Sequence, residues 1–404
     1  MTLLQDRIHQ YIHTLSAAIG ARPSGSPANH AAAAYIRDEM RRLGFEVEEQ
    51  PFECPEWQVN EAALRVGDRQ LEVLPNAYSP SCQVEAPLVW AGTLAELEAA
   101  SLKGKIAVLY GDLTKAPVAC KAWFLKDEHD DRIIQALEQK QPAAVLCVQV
   151  QPGSVIQIFE DWEFHLPSAT IPVESARVLL QAGADPVSLH IKTEQKKGST
   201  ANIVGRRAGK RPETIVLCAH YDTKFLTPGA LDNAGGVAAI LAAAELAGQA
   251  DLETSLELVA FTNEEHLPLG DDTYFALAGE DFPGHVLLAI NFDGAGHILD
   301  VNNMATYAAS AKFEGALAPI LAEFPAVQRV EPWPESNHSS FVWRGVPAVA
   351  FSSRGTTFMA HQREDTEEWV SPARIEEAAR MAMRIMDLVQ DKPVTWLRQA
   401  NQQA

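Results

Sequence analysis

Apolar and polar positions follow two rhythms along this 404-residue chain. Near the N-terminus the rhythm is helical. Ser26-Pro27 offers an N-cap and a first-turn proline, Ile36, Met40 and Leu43 recur three or four residues apart, and Gly44 ends the run. The next stretch, FEVEEQPF, alternates apolar and polar side chains, as an edge strand with one buried face requires. From about Trp57 to about Thr200 the texture changes. Short runs such as KIAVLYGDL, AAVLCVQV and SATIPVES are split by Pro, Gly and charge. This predicts an inserted β-rich domain over 57–200, with a main domain assembled from 1–56 and 201–404.

From Ala201 onward the pattern becomes strand, loop, helix, repeated. TIVLCAH, SLELVAF, HVLLAINF and VPAVAF read as strands, and the Ala-rich run from Ala234 to Ala247 reads as a helix. A last helix starts at Ser371-Pro372 and places Ile375, Ala379, Ala382 and Met386 on one face. Near-continuous apolar strands belong in a sheet covered on both faces. The predicted class is α/β: a mixed, mostly parallel sheet sandwiched by helices, carrying the inserted domain.

In such sheets ligands gather at the carboxyl ends of the strands, and the chemistry-bearing residues fall there. His220 ends TIVLCAH, Glu264 and Glu265 follow SLELVAF, and Asp293 follows HVLLAINF. Asp232 lies in GALDNAGG just before a helix, and His361 lies in a loop after VPAVAF. Two His, two Asp and an adjacent Glu pair can hold two zinc ions through a shared carboxylate and leave one Glu as a base. Each residue alone has an ordinary explanation: a strand-end His bonded to backbone, an Asp capping a helix, an acidic pair in a solvated loop. Two acids at the end of a buried strand repel unless a cation lies between them, which sharpens the case at Glu264-Glu265. Asp222, two residues past His220, is expected to hold that imidazole's second nitrogen. His266 and His297 are expected to be structural or solvent-facing.

Composition adds mostly exclusions. With 33 basic and 53 acidic residues the formal charge is -20, which argues against nucleic acid or an anionic membrane as partner. The N-terminal MTLLQDRIHQYIHTL lacks a signal-peptide core, and no stretch is expected to span a membrane. Five cysteines without CxxC spacing suggest reduced thiols and a cytoplasmic protein.

The ordered set HYD, PGALDNAGG, NEE, NFDG and a late HxxxDT resembles the dizinc aminopeptidase family, which includes bacterial leucine aminopeptidases, aminopeptidase Y and glutamate carboxypeptidase II; glutaminyl cyclases share its fold. The opening GARPSGSPANHAAAAYIRDEMRRLGFEVEEQPF is similar too, and the middle segment looks like a protease-associated domain. The resemblance implies one zinc on His220, Asp232 and Asp293 and another on Asp232, Glu265 and His361. It further implies Glu264 as general base, Asp222 as orienting residue and a cis peptide after Asp232. Cobalt or manganese could replace zinc.

The chain departs from the family at Ala360, where a tyrosine often helps polarise the carbonyl, and at Gln362, where threonine is usual. His338 is the candidate to replace that tyrosine as oxyanion stabiliser. The expected activity is removal of an N-terminal residue from a peptide or small amine-bearing amide, by a protein that could self-associate. Alternatives are a single-zinc glutaminyl cyclase, a carboxypeptidase or deacylase of the same chemistry, and a non-catalytic scaffold.

Overall fold

The computed structural model describes residues 2–123, 126–150, 155–183, 185–248 and 252–399. The chain divides into two compact units, Met1–Cys54 with Ser199–Ala404, and Pro55–Gly198. The division falls inside two 21-residue strands, Glu46–Val66 and Val187–Arg207. The strand read in FEVEEQPF therefore continues well past that segment, although its burial does not keep a strict alternation.

At the centre of the first unit four strands run parallel, in the order Ala348–Ser353, Val286–Phe292, Arg211–His220, Thr254–Phe261. Antiparallel neighbours flank them. Asn302–Tyr307 pairs with Ala348–Ser353 on one side, and Ile203–Arg207 pairs with Leu256–Ala260 on the other. The sheet is mixed, parallel at its centre with as many antiparallel as parallel pairings among the described strands rather than mostly parallel, and its middle strands are largely apolar because both faces are covered. Within Arg211–His220 the side chains alternate between two cores. Ile215, Leu217 and Ala219 join Ile8, Tyr11, Ile36 and Ile375 from the helices on one face, whereas Val216 and Cys218 join Tyr274, Phe275 and Phe341 on the other.

The helix Gly235–Ala247 lies in the first of these cores, packed against the strand Arg211–His220 and the helices Leu3–Ile12 and Pro372–Val389. Its sequence GGVAAILAAAELA is apolar on nearly every side, as a helix surrounded by protein must be. Contrary to the sequence expectation, one 18-residue stretch, Ala230–Ala247, has the length and hydropathy of a membrane span. It is 89% buried within the protein and serves as a core helix.

In the second unit five strands form a sheet ordered Leu74–Pro75, Ser168–Pro172, Ala144–Gln149, Ile106–Leu109, Leu88–Ala91, with the last four parallel. Three helices, Leu94–Ala99, Glu128–Lys140 and Val173–Ala182, accompany it. The sequence reading passed over them. In EHDDRIIQALEQK a single narrow stripe (Ile133, Ile134, Leu137) is buried among charged positions, so the apolar signal is thin.

Gly236 shows how tightly the first unit is built around its central helix. A Cβ there would lie 2.2 Å from the Asn233 Oδ1 and 2.4 Å from the Phe292 carbonyl oxygen. Gly236→Ala is expected to cost about 1–3 kcal/mol by overpacking, read as a lower denaturation midpoint. Gly315→Ala, in the helix Ala311–Glu323 with nothing within 4 Å of the added carbon, is expected to raise stability by about 0.5–1 kcal/mol.

Candidate metal centre

The parallel strands deliver their carboxyl ends to one place. His220 is the last residue of its strand, Asp293 follows Phe292 directly, and Glu264 and Glu265 come just after Phe261. Asp232 arrives from a separate direction, on an irregular turn, Ala230–Ala234, at the start of the central helix. Its peptide bond to Asn233 is cis. His361 stands in a loop with φ of 66°, left-handed backbone for a residue with a side chain.

These residues form two donor groups, His220 with Asp232 and Asp293, and Asp232 with Glu265 and His361. Asp232 is common to both. Its Oδ1 lies 3.1 Å from His220 Nε2, and its Oδ2 lies 3.2 Å from His361 Nε2. His220 Nε2 is also 3.4 Å from Asp293 Oδ1, and His361 Nε2 is 3.1 Å from Glu265 Oε2. Glu264 stands beside the first group, its Oε2 3.8 Å from His220 Nε2. Neither His266 nor His297 enters a group. His266 stacks on Phe225, and His297 stacks on Trp369 while its Nδ1 accepts a hydrogen bond from the Leu299 amide.

Electrostatics shows what the cluster lacks. Burial alone would discourage a charged imidazole, yet the Glu264 and Asp293 carboxylates hold His220 well above the usual histidine range. Burial, reinforced by Asp293 and Glu265 against the opposing pull of His220, likewise holds Glu264 well above the usual carboxylate range. His220 Nε2 and Glu265 Oε1 are buried without a hydrogen-bond partner. Four carboxylates crowd a site whose uncommitted atoms are a ring nitrogen and a carboxylate oxygen. A divalent cation satisfies both and removes the repulsion. The mixed nitrogen and oxygen donors suit zinc.

A second layer fixes this layout. Asp365 accepts from the amides of Leu231 (2.7 Å) and Asp232 (3.0 Å), clamping the turn that carries the shared carboxylate. Asn233 donates to the Phe292 carbonyl at 2.8 Å and so joins that turn to the strand bearing Asp293. Asp222 does more than the sequence suggested. Its carbonyl oxygen lies 3.3 Å from His220 Nδ1, with a carboxylate oxygen at 3.6 Å, while that carboxylate accepts the amides of Glu264 and Glu265 at 3.3 Å each. One side chain thus sets the Glu pair relative to His220. Lys224, to which the sequence drew no attention, brings its ammonium to the Glu265 carbonyl oxygen, 3.9 Å from Glu265 Oε2. The HYDTK run placed a cation near the cluster, but in a linear sequence it resembled any loop lysine.

His338 does not fit the role expected of it. The ring is fully buried, and its Nε2 lies 3.0 Å from the Trp333 carbonyl, which can only accept. Its Nδ1, 3.3 Å from Asn291 Nδ2, must then be the acceptor. Burial pushes its pKa down to about 4, so the ring stays neutral near pH 7. Neither nitrogen remains to stabilise an oxyanion, and the residue instead anchors the segment 333–338.

Residues 202–386 match peptidase family M28. This region is an M28 peptidase domain. The chain is 28% identical over 275 residues to aminopeptidase YwaD of Bacillus subtilis, covering 66% of this chain and 57% of that protein. It is 24% identical over 283 residues to a probable leucine aminopeptidase 2 of Aspergillus oryzae, covering 67% and 54% respectively. The chain thus spans a little over half the length of these curated relatives. In three dimensions it resembles the zinc aminopeptidase BSAP from Bacillus subtilis, with a TM-score of 0.78, 20% identity and 98% of each chain covered. The likeness shows a shared fold.

The segment that His338 anchors also binds Asp271, whose Oδ2 accepts from Asn337 Nδ2 at 2.8 Å within the M28 domain. Burial raises Asp271 to about 7. A carboxyl raised above its unfolded value of about 3.9 favours the native state while protonated, and this advantage is lost as pH climbs from about 4 towards 7. Asp271→Asn cannot ionise. It should match the parent in thermal midpoint at pH 4 and exceed it increasingly up to pH 8. A constant difference across that range would contradict the assignment.

Proposed function

We propose that this chain is a zinc-dependent aminopeptidase that binds two metal ions. The observation that carries the reading is Asp232, whose two carboxylate oxygens reach two different histidines within 3.2 Å. His220, Asp232 and Asp293 would hold one ion, and Asp232, Glu265 and His361 the other. When bound, the pair supplies Lewis acidity: it polarises a scissile carbonyl and makes water a nucleophile near neutral pH. The aminopeptidase names of the M28 relatives support the same reading.

The chain's own residues account for the remaining chemistry. Glu264 is not needed as a donor in either group and stands beside the first, 3.8 Å from His220 Nε2. A carboxylate left out of both donor sets is suited to take a proton from water and return it to the departing amine. Asp222 holds the Glu264 amide, so the base is positioned through its backbone. The printed names of the relatives, aminopeptidase YwaD and probable leucine aminopeptidase 2, point to a substrate with a free N-terminal amine. That supports an exopeptidase acting at peptide N-termini.

Glu264→Ala is expected to retain bound metal and lose on the order of 10²–10⁴ in turnover of aminoacyl p-nitroanilides. Metal content and rate measured on one preparation test this. A loss below tenfold with metal retained would remove Glu264 from the base role. Chelator-insensitive turnover by the parent would refute the metallopeptidase reading itself.

A further inference from the structure

Arg22 lies in the GARPSGSP segment, outside every motif that carries the metal donors, yet its side chain is fully buried. All its bonds go to backbone carbonyls. Nε donates to Tyr221 at 2.5 Å, Nη1 to Pro228 at 2.7 Å, and Nη2 to Gly229 at 2.9 Å. Nη1 also reaches the Leu15 and Gly20 carbonyls at 3.3 Å each, and the Arg22 amide donates to Thr223 Oγ1 at 2.9 Å. Tyr221 directly follows His220, and Gly229 lies three residues before Asp232. One planar fork therefore grips both ends of the loop joining a donor of the first group to the carboxylate shared by both.

The Arg22 fork joins the two ends of the loop to each other, and the loop also touches its surroundings through Asp222, Lys224 and Phe225. It is irregular from Tyr221 to Gly229, with left-handed backbone at Leu226 and Gly229. A guanidinium presents five N–H donors in fixed directions and cannot satisfy itself in a dry interior, so the carbonyls must come to it. A lysine in the same place has three mobile protons on one atom and cannot span carbonyls on both sides of the loop.

We infer that Arg22 is a positioning residue that shapes the Tyr221–Gly229 loop in advance, setting the separation of His220 and Asp232 before any metal arrives. The inference rests on the two-ion reading of the centre. It assigns to the N-terminal segment a part in metal binding, although that segment supplies no donor. Removing such outer support costs metal affinity in the range of about 10–100-fold.

The test measures zinc affinity of the full chain by competition with a chromophoric chelator, for the parent and for Arg22→Lys. Circular dichroism and gel filtration confirm that each is folded. The lysine variant keeps the charge and loses the fork, and its zinc affinity should fall about 10–100-fold, with kcat reduced more than KM changes. Equal affinities would overturn the inference and leave the two-ion reading intact, whereas a parent that binds no zinc would overturn both. A lysine variant that does not fold is replaced by a second measurement, amide hydrogen exchange on the metal-free parent. Protection of 221–232 comparable to the core strands supports Arg22 as the organiser. Free exchange in that segment until zinc is added would show that the metal shapes the loop, and would overturn the inference.

Discussion

The whole centre depends on one carboxylate being held where two histidines can reach it. Asp232 Oδ1 and Oδ2 lie almost equally far from His220 and His361, which belong to segments 141 residues apart, as 361 − 220 shows. Such symmetry is costly for a short side chain, because the turn beneath it can neither slide nor rotate. Asp365 takes the amides of Leu231 and Asp232, Asn233 bonds to the strand bearing Asp293, and Gly236 lets the central helix approach that strand. Each support acts on the backbone and leaves the carboxylate oxygens facing the histidines.

Those supports hold a cluster that repels itself. Asp232, Asp293, Glu264 and Glu265 lie around two imidazoles, and the pull of Glu264 and Asp293 on a proton at His220 is a partial answer. Divalent cations are the fuller answer, and their binding energy then stabilises the fold by mass action. A protein of this kind is expected to preform its site at the expense of local stability, and to recover that stability on loading. The fixed backbone of a doubly covered parallel sheet makes this tolerable, since strand ends in the middle of such a sheet cannot drift apart.

Much of this was legible in the chain. Strand rhythm located the sheet, and the placement of acids and histidines at strand ends picked out the five residues that the fold gathers into two donor groups, together with Glu264 and Asp222 beside them. What the sequence hid were interactions made through backbone groups. Arg22 and Asp365 act on carbonyls and amides, which carry no sequence signal, and Arg22 lies about 200 residues from the loop it holds (221 − 22 = 199). His338 was misjudged for a related reason. A buried histidine bonded to the Trp333 carbonyl looks, in one dimension, like a free ring near a cleft. The amphipathic helix Glu128–Lys140 was passed over because its buried stripe is short and its charges dominate the count.

The most direct test of the shared carboxylate is anomalous X-ray diffraction at the zinc absorption edge from crystals of the zinc-loaded protein. The account expects two peaks about 3.5–4 Å apart. One should lie among His220, Asp232 and Asp293 and the other among Asp232, Glu265 and His361, with one Asp232 oxygen directed at each. A single peak at full loading, or two peaks with Asp232 bound to only one of them, would contradict it.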